Sequence, residues 1–462
     1  MNKVDEQQLL KEIAKKEISY GLYDAKIKGV SVYSFVRFFV RNDILKQNGL
    51  PVLEPRQKTK KSNVVKSTLI STWHFLKLFL LRSHYSTVFY SFPRVDKIGN
   101  EYLDKFTDPI IDGVDLKDDY IIFDHGRAGV HPTPRRHKNR IVYLDVLSIY
   151  SNVIAALCGL RFYKKNRNVF DQLYNSLNSA FDKTLNIKTI VKLFYANYLY
   201  NTGLYKLFKN TSTKRLIGPS RSYMFGPFYA AHLLGIKTFE LQHGITYGET
   251  VTYSGYRDPM IMPDVFLAFG DNKPSDVYGI DESRIVNIGW ALQDYVAKMP
   301  QKEAYHEKDV LVISDPEVTD AIFEVVLQLA DDNPESTFYI RPHPHEIISE
   351  QQLNSISPKR NIKIQDKSIN ISVVLQGFNH VVGENSTVLY EALAVNKKVG
   401  RLFYKWLNPK YLEESDRECS WEIHNQDDFV RFLSEDITLK KNKSIYSKFN
   451  KELFCKTVGI ES

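Results

Sequence analysis

The chain has 462 residues and 43% apolar content, enough for two or three domains that each bury a core. Its 22 glycines and 18 prolines exclude a fibrous or low-complexity architecture. Three scattered cysteines exclude a disulfide framework and a structural zinc site, which suits a reducing compartment. We find neither a signal-peptide-like start nor eighteen consecutive apolar residues, so we expect a cytoplasmic protein.

The net charge of +8, from 62 basic and 54 acidic residues, comes from one region. Residues 55–95 hold eight basic residues and no acidic one. Within this region, residues 68–82 place Leu69, Trp73, Leu76 and Leu80 at helical spacing. Two interpretations fit: a helix lying on the anionic inner face of the cell membrane, or a packed helix after a basic linker. Nucleic acid is not an expected partner, because no nucleic-acid-binding motif occurs and the rest of the chain is neutral.

Short β-rich runs alternate with helical stretches from about residue 84 onwards, the pattern of α/β domains with parallel sheets. The strands are predicted at 87–92, 120–126, 140–146, 214–220, 237–244, 264–270 and 284–289, and again at 309–315, 336–344, 362–366, 380–386 and 397–403. The chain is thus divided into a helical basic extension (1–83), a Rossmann-like acceptor domain (84–295), a Rossmann-like nucleotide domain (305–440) and a tail or helix (441–462). Polar residues end most of the runs, which predicts a ligand site at the carboxyl ends of the strands.

The segment Arg341-Pro342-His343-Pro344 follows one of the predicted strands. Each proline fixes its own φ and extends the preceding residue, so Arg341 and His343 are expected at the strand tip with little backbone freedom. Arginine and histidine both donate to phosphate oxygens, which predicts phosphate binding. A strand-ending turn with a surface histidine is the alternative.

About forty residues later, HVVGENSTVLYEALAV predicts a strand, a turn and a helix. Gly383 would allow a tight turn, and Asn385 or Ser386 would cap the helix beside Thr387. The free amides of a helix start attract anions. Glu391 lies four residues after Thr387, within reach of ribose hydroxyls, so a nucleotide site is predicted; a capped core helix is the alternative.

These two motifs resemble those of the GT-B glycosyltransferases of bacterial capsule and lipopolysaccharide (O-antigen) assembly. His343-Pro344 matches the His-Pro motif, and Ser386-Thr387 with Glu391-Ala392 matches the Ser/Thr motif ahead of Glu-Ala. The resemblance implies a fold of two Rossmann-like domains facing a cleft, and a donor's phosphate and ribose held at these positions.

The N-terminal half resembles the same enzymes at Gln242-His243-Gly244, where the family's histidine faces the cleft. A histidine at a strand tip can act as a base toward an acceptor hydroxyl, so His243 is the first catalytic candidate. Asp124 is the second, because many inverting enzymes of this fold use a carboxylate of this domain.

Other candidates for the acceptor side or the cleft follow strands of the same half: Gln242, Gly244, His125, Arg127 and Arg221. The helix after Arg221 fits a packing role equally well. Residues 94–112 resemble a further signature of capsule enzymes, in which Asp104 and Asp108 would otherwise be loop and helix caps.

We therefore expect a glycosyltransferase that moves a sugar from a nucleotide-activated donor to a surface polysaccharide or lipid-linked glycan. The paired His-Pro and Ser/Thr motifs resemble most those of CMP-sugar users, so the resemblance implies a CMP-ulosonic acid as the favoured donor, with UDP-, GDP- or CDP-linked sugars left open. No cofactor and no metal are expected, because Arg341, His343 and helix amides can neutralise the leaving group and no metal-clamping Asp-x-Asp is placed for it. The alternatives are a CDP-polyol-dependent polyol-phosphate transferase, a nucleotide-sugar epimerase, and a non-catalytic nucleotide-binding scaffold.

Overall fold

The structure is a computed structural model. It describes residues 6–461 except 51–59, 81–83, 93–94, 115, 118, 127–128, 182–184, 247, 271–277, 299–304, 317, 344–345, 405–406, 408–418 and 436–445.

A seven-stranded parallel sheet forms the centre of the N-terminal half. Its strands are β3 (Thr87–Tyr90), β6 (Tyr120–Asp124), β7 (Ile141–Tyr143), β8 (Arg215–Pro219), β9 (Lys237–Leu241), β10 (Val265–Ala268) and β11 (Ile285–Asn287). They lie in the order β11-β10-β9-β8-β3-β6-β7, and all pairs are parallel. Continuous apolar runs form these strands because helices cover both faces of the sheet.

The helices of this half are α3 (Lys61–Leu80), α4 (Asp108–Gly113), α5 (Asp145–Lys165), α6 (Arg167–Ala180), α7 (Ile187–Asn210), α8 (Arg221–His232) and α9 (Ala291–Ala297). A short antiparallel hairpin, β4 (Asp96–Ile98) and β5 (Glu101–Leu103), stands beside the sheet. The sequence predicted a polar linker from residue 291, but the segment begins with α9, whose Leu292 and Val296 are buried.

The C-terminal half repeats the architecture with six parallel strands. They are β12 (Val310–Ile313), β13 (Phe338–Arg341), β14 (Ile362–Ile364), β15 (His380–Gly383), β16 (Lys398–Leu402) and β17 (Trp421–Ile423), in the order β14-β13-β12-β15-β16-β17. The accompanying helices are α10 (Thr319–Asp332), α11 (Glu350–Ile356), α12 (Ile371–Gly377), α13 (Thr387–Ala394) and α14 (Gln426–Ser434).

Both sheets reverse their strand order at one point. The first strand of each sheet, β3 or β12, lies between the second and the fourth, so the chain departs to opposite sides from it. Open α/β sheets bind ligands outside the carboxyl ends of the strands at such a switch point. The fold therefore supplies two ligand-binding crevices, between β3 and β8 and between β12 and β15.

The C-terminal helix α15 (Lys451–Val458) returns to the N-terminal sheet. The amide of Ser447 donates to the carbonyl of Phe269 at 2.7 Å, and the amide of Asn450 donates to that of Ile288 at 2.8 Å. Phe454 is fully buried in the same core cluster as Phe239 of β9. The end of the chain thus ties the second half to the first.

The N-terminal extension is folded into the first domain rather than appended to it. It contains α1 (Glu6–Ser19), a two-stranded sheet of β1 (Lys26–Ile27) and β2 (Val30–Ser31), and α2 (Val32–Gln47). Leu10 and Val36 share a buried cluster with Phe170 of α6 and Phe194 of α7. The extension is therefore part of a helical layer.

A buried ion pair lies at the centre of this layer. Glu17 accepts hydrogen bonds from Nε and Nη2 of Arg41, both at 2.6 Å, and from the hydroxyls of Tyr23 and Tyr33, both at 2.7 Å. Both charged side chains are fully buried. Four donors compensate the desolvation of one carboxylate, which a buried charge requires.

Helix α2, which carries Arg37 and Arg41, fixes a loop that follows β9. Arg41 donates to the carbonyl of Val251 at 2.9 Å, and Arg37 donates to those of Thr252 at 2.7 Å and Tyr256 at 3.2 Å. From α1, the side chain of Gln7 exchanges two hydrogen bonds with the backbone of Glu249. We call residues 249–256 the clamped loop, because the extension satisfies its backbone groups.

We predict that Glu17→Gln destabilises the fold by about 3 to 5 kcal/mol, because Arg41 then keeps its buried charge without a counter-charge. Urea unfolding followed by circular dichroism measures the loss. The control is Glu12→Gln on the exposed side of α1, which should stay within about 0.5 kcal/mol of the wild type. Equal midpoints for the two variants would contradict the role given to the pair.

Candidate functional site

The backbone is strained where the first sheet reverses its order. Ser220 follows β8 directly and has φ 63° and ψ 101°, a conformation that non-glycine residues rarely adopt. Such conformations cost about 1 to 3 kcal/mol and cluster at functional sites. The strain coincides with the crevice that the topology predicts.

His243 lies two residues after β9 and is half-buried. Its Nδ1 is 3.3 Å from the hydroxyl of Tyr253, and that hydroxyl donates to Glu240 at 3.0 Å. A phenol has one proton, so the Tyr253 oxygen can only accept from Nδ1–H. Neutral His243 then leaves Nε2 as its lone pair, the form a general base needs.

His243 is also held in its neutral form. Burial first, and the positive charge of Lys105 second, lower the pKa of His243 to about 4. The imidazole therefore carries no charge at neutral pH.

Lys105 connects the two domains at this point. Its Nζ lies 3.9 Å from Oε1 of Glu391 on α13. Glu391 is buried, and its pKa is raised by burial despite Lys105. Lys105 thus acts electrostatically on His243 and reaches Glu391 of the other half, so it links three distant segments of the chain.

A row of aromatic rings extends from His243 along the same edge of the sheet. Its ring centroid is 6.2 Å from that of Phe92, Phe92 is 6.0 Å from Tyr223, and Tyr223 is 6.1 Å from His125. His125 Nε2 lies 2.7 Å from the hydroxyl of Tyr200. The predicted cleft residues His243 and His125 therefore share one lining of rings.

Asp124, the second predicted base, does not line the cleft. The residue is 3% exposed, and its carboxylate accepts from the amide of His125 and lies 3.5 Å from Nε of Arg135. Arg135 also donates to Asp108. Burial raises the pKa of Asp124 to about 7 and that of Asp108 to about 6. Asp124 therefore belongs to a buried carboxylate cluster behind the site.

Asp104 belongs to the same cluster and acts as a loop cap. It accepts from the amides of Phe92 at 2.7 Å and Phe106 at 2.9 Å. These two bonds fix the turn that carries Lys105 and join it to the end of β3. Of the two roles considered for Asp104, the structure favours the structural one.

Arg341 is not directed at an open phosphate site, contrary to the prediction. Its guanidinium donates to the carbonyls of Asp366, Lys367 and Ile369, the last at 2.6 Å. It therefore braces the loop after β14. A rigid strand tip makes an arginine a good donor, but the nearest acceptors here are backbone carbonyls.

His343 stays half-buried at the tip of β13, where its amide donates to Glu346 at 2.8 Å. Glu346 also accepts from the hydroxyls of Ser314 at 2.8 Å and Thr319 at 2.9 Å. This buried carboxylate joins the loops after β12 and β13. Pro344 lies outside the described residues, as does Arg127 of the N-terminal set.

The Ser/Thr motif has the predicted strand, turn and helix with one correction. Gly383 is the last residue of β15 rather than a turn residue, and a Cβ there would lie 3.1 Å from the carbonyl oxygen of Ile313. Ser386 caps α13 by accepting from the amide of Val388. Asn385 and Thr387 are exposed beside it. The tips of β13 and β15 flank β12, about 10 Å apart.

Two further candidates are structural. Arg221 is buried. Its backbone amide and its Nε donate to Glu240 at 2.7 and 2.9 Å, so the side chain binds Glu240 rather than an acceptor substrate. Gln242 is buried, accepts from the amide of Phe269 and donates to the carbonyl of Gly244. It shapes the Gln-His-Gly turn from inside.

Residues 6–461, apart from the gaps given above, contain no group of three or more His, Cys, Asp or Glu side chains placed to hold a metal ion.

Comparison with known proteins gives a fold and a distant relative. The structure resembles that of UDP-GlcNAc 2-epimerase from Methanocaldococcus jannaschii with a TM-score of 0.51 and 10% identity, covering 81% of this chain and 99% of that one. The UDP-GlcNAc 2-epimerase of Neisseria meningitidis, solved with UDP-GlcNAc, gives 0.49 at 12% identity, over 80% and 98% of the two chains. The GT-B-like fold of two Rossmann-type domains is confirmed.

In sequence, the chain is 26% identical over 284 residues to a Methanocaldococcus jannaschii protein described as uncharacterized. The match covers 57% of this chain and spans half the length of that relative. No family model matches.

Sequence reasoning missed Lys105, Tyr253 and Glu240. Glu240 carried a signal, since a charged residue inside the apolar run before Gln242 needs a buried partner. Lys105 carried none, because only the tertiary fold brings residue 105 to residue 391.

We predict that Asp124→Asn reduces the loss of stability that the wild type shows as pH rises. Between the ordinary value of 3.8 and about 7, folded Asp124 keeps a proton that the unfolded chain has released, so stability falls with rising pH across this window. Urea midpoints at several pH values measure the slope. Exposed Asp281→Asn is the control, and an unchanged slope in Asp124→Asn would contradict the assignment.

We predict that Lys105→Met raises the pKa of His243 above about 4, without restoring the ordinary 6.5, because burial is the larger cause. NMR titration of the His243 ring, assigned by its absence in His243→Ala, measures this. Lys97→Met, an exposed lysine of β4, is the control. The same His243 titration in both lysine variants would show that Lys105 does not act on it.

Proposed function

We propose that the protein is a nucleotide-sugar enzyme of the two-domain GT-B type, and specifically a glycosyltransferase. The observation that carries the proposal is the cross-domain group of His243, Lys105 and Glu391. This group links His243 and Lys105 of the N-terminal half to Glu391 on α13, the helix that carries the Ser/Thr motif of the other half.

In the proposed reaction, an acceptor hydroxyl attacks the anomeric carbon of the donor. Nε2 of His243 takes the hydroxyl proton, while the bond from the anomeric carbon to the phosphate oxygen breaks and the nucleotide leaves with that electron pair. The amides at the start of α13 and the side chain of His343 stabilise the leaving phosphate. We assign to Glu391 the role of accepting a hydrogen bond from a ribose hydroxyl of the donor.

Donor binding would also tune the base. A phosphate near Lys105 adds negative charge that offsets the effect of the lysine on His243. The pKa of His243 then rises toward the working pH, where general-base catalysis is most effective. Burial and Lys105 thus make His243 a weak base, and donor binding would strengthen it.

For the donor, the sequence motifs favour a CMP-ulosonic acid, with a UDP-sugar next. The similar solved structures are named for UDP-GlcNAc, which makes UDP-sugars the first comparison in any test. The acceptor we propose is a growing surface polysaccharide or a lipid-linked glycan. A nucleotide-sugar epimerase is the second candidate, since the whole chain of one such enzyme aligns with this fold.

We predict that one nucleotide among CMP, CDP, UDP, GDP and TDP raises the melting temperature of the protein. Ligand at about a hundred times its Kd adds about 2.7 kcal/mol. Glu391→Gln should weaken this shift, whereas His243→Ala should keep it and lower turnover by about 100-fold or more. The control is His84→Ala, which changes an exposed histidine outside the proposed site.

Product analysis then separates the reactions. The proposal expects sugar release or transfer that requires an acceptor. Turnover of a UDP-sugar to its epimer without acceptor would identify an epimerase instead. Absence of a shift with every nucleotide, or full activity in His243→Ala, would refute the assigned site.

A further inference from the structure

The exposed apolar side chains of the protein are concentrated on two helices. Of nineteen large apolar residues exposed in the described part of the chain, nine lie on α3 and α5. They are Val65, Leu69, Trp73, Leu76 and Leu80 on α3, and Tyr150, Val153, Leu157 and Leu160 on α5. Contiguous exposed apolar surface of this kind marks an interaction site.

On α3 the apolar stripe points directly away from the protein. Its inner face is formed by the buried residues Ser67, Ser71 and Leu78. At 100° per residue, Leu69 and Leu76 lie on the opposite side of the helix, and Leu80 is 77% exposed. The stripe is therefore exposed on the surface. Its sequence spacing alone would fit equally well a helix whose apolar face lies in the core.

The same arrangement recurs on α5. Leu147, Ser151, Ala155 and Gly159 face the protein. Leu157 and Leu160, on the opposite side, are 75% and 66% exposed. The sequence pattern alone had singled out only the first of these two helices.

The two helices are neighbours. The amide of Val146, in the first turn of α5, donates to the hydroxyl of Ser71 at 2.8 Å. The ring of Tyr143, the last residue of β7, stacks on His74 of α3 at 5.3 Å between centroids. We call the nine exposed residues of α3 and α5 the two-helix surface.

The exposed charged residues on the described part of α3 and α5 are all basic. Together α3 and α5 hold a single acidic residue, Asp145, and that residue is buried. Exposed basic residues flank the stripes: Lys66 and Lys77 on α3, and Arg161 and Lys164 on α5. An apolar surface bordered by exposed cations is complementary to an anionic lipid bilayer.

Among the described helices, α5 alone is long and apolar enough to cross a membrane by length and composition. Its inner face, however, is packed on α7: the ring of Phe162 stacks on Tyr195 at 4.0 Å, and Leu147 lies against Gly203. A helix fastened along one side presents only the other side to lipid. The arrangement favours lying on a bilayer over spanning it.

We propose that the two-helix surface docks the protein on a bilayer that contains anionic lipid, with α3 and α5 lying together in the headgroup region. The apolar stripes enter the acyl boundary, and the flanking cations contact the lipid phosphates. This inference does not depend on the proposed enzymatic function.

Vesicle flotation with the full chain tests the proposal. The protein should float with vesicles of phosphatidylcholine and phosphatidylglycerol and much less with phosphatidylcholine alone. Leu157→Ser with Leu160→Ser on α5 should lower binding at least about tenfold, because buried leucine side chains drive insertion. Lys66→Gln with Lys77→Gln should lower it roughly thirtyfold on anionic vesicles only.

The matched control is Leu353→Ser with Val430→Ser, two exposed apolar residues of the C-terminal half. A second readout places α3 in the bilayer: brominated lipid should quench tryptophan fluorescence in the wild type and lose that component in Trp73→Phe. The other described tryptophans, Trp290 and Trp421, are buried.

Three results would overturn the proposal. They are no flotation with anionic vesicles, flotation that the α5 variant leaves unchanged, and a concentration-dependent dimer that the α5 variant converts to a monomer without any vesicle binding. The last would identify a second copy of the chain as the occupant of the surface.

Discussion

The carboxylate of Glu240, fully buried in β9, organises the N-terminal side of the cleft. It accepts from the backbone and side chain of Arg221 at the start of α8 and from the hydroxyl of Tyr253. A buried carboxylate is stable only when its hydrogen bonds are complete, so strand, helix and clamped loop must be in place together. His243 contacts Tyr253, so the Glu240 network fixes the position and the tautomer of His243.

A second buried pair supports the first from outside. Glu17 and Arg41 lock α1 to α2, and the arginines of α2 hold the backbone of the clamped loop that carries Tyr253. The extension, whose role the sequence left open, thus positions the loop next to the candidate base. Connections between strands are usually mobile, but two glutamate–arginine pairs, one on each side of this loop, hold it in place.

The elements of both sheets could be predicted because parallel strands buried on two faces appear as short apolar runs ending in polar residues. All seven predicted strands of the first half and all five of the second are present. β17 and the short hairpins β1–β2 and β4–β5 were missed. The motifs were located correctly, but the directions of their side chains were not predicted. Arg341 donates to backbone carbonyls and Arg221 donates to Glu240, because burial places these acceptors beside them. Local sequence gives a strand tip, whereas only packing decides what the tip faces.

The two-helix surface and the cleft share one edge of the N-terminal sheet. α5 begins at Asp145, just after the carboxyl end of β7, and Asp145 accepts from the amide of Gly126 in the loop after β6. From that edge its 21 residues extend about 30 Å at 1.5 Å per residue. The first turn of α5 and the Ser71 region of α3 therefore lie on the side of the sheet where His125 and His243 line the cleft. In the proposed function, a lipid-linked acceptor would approach Nε2 of His243 from this side of the sheet.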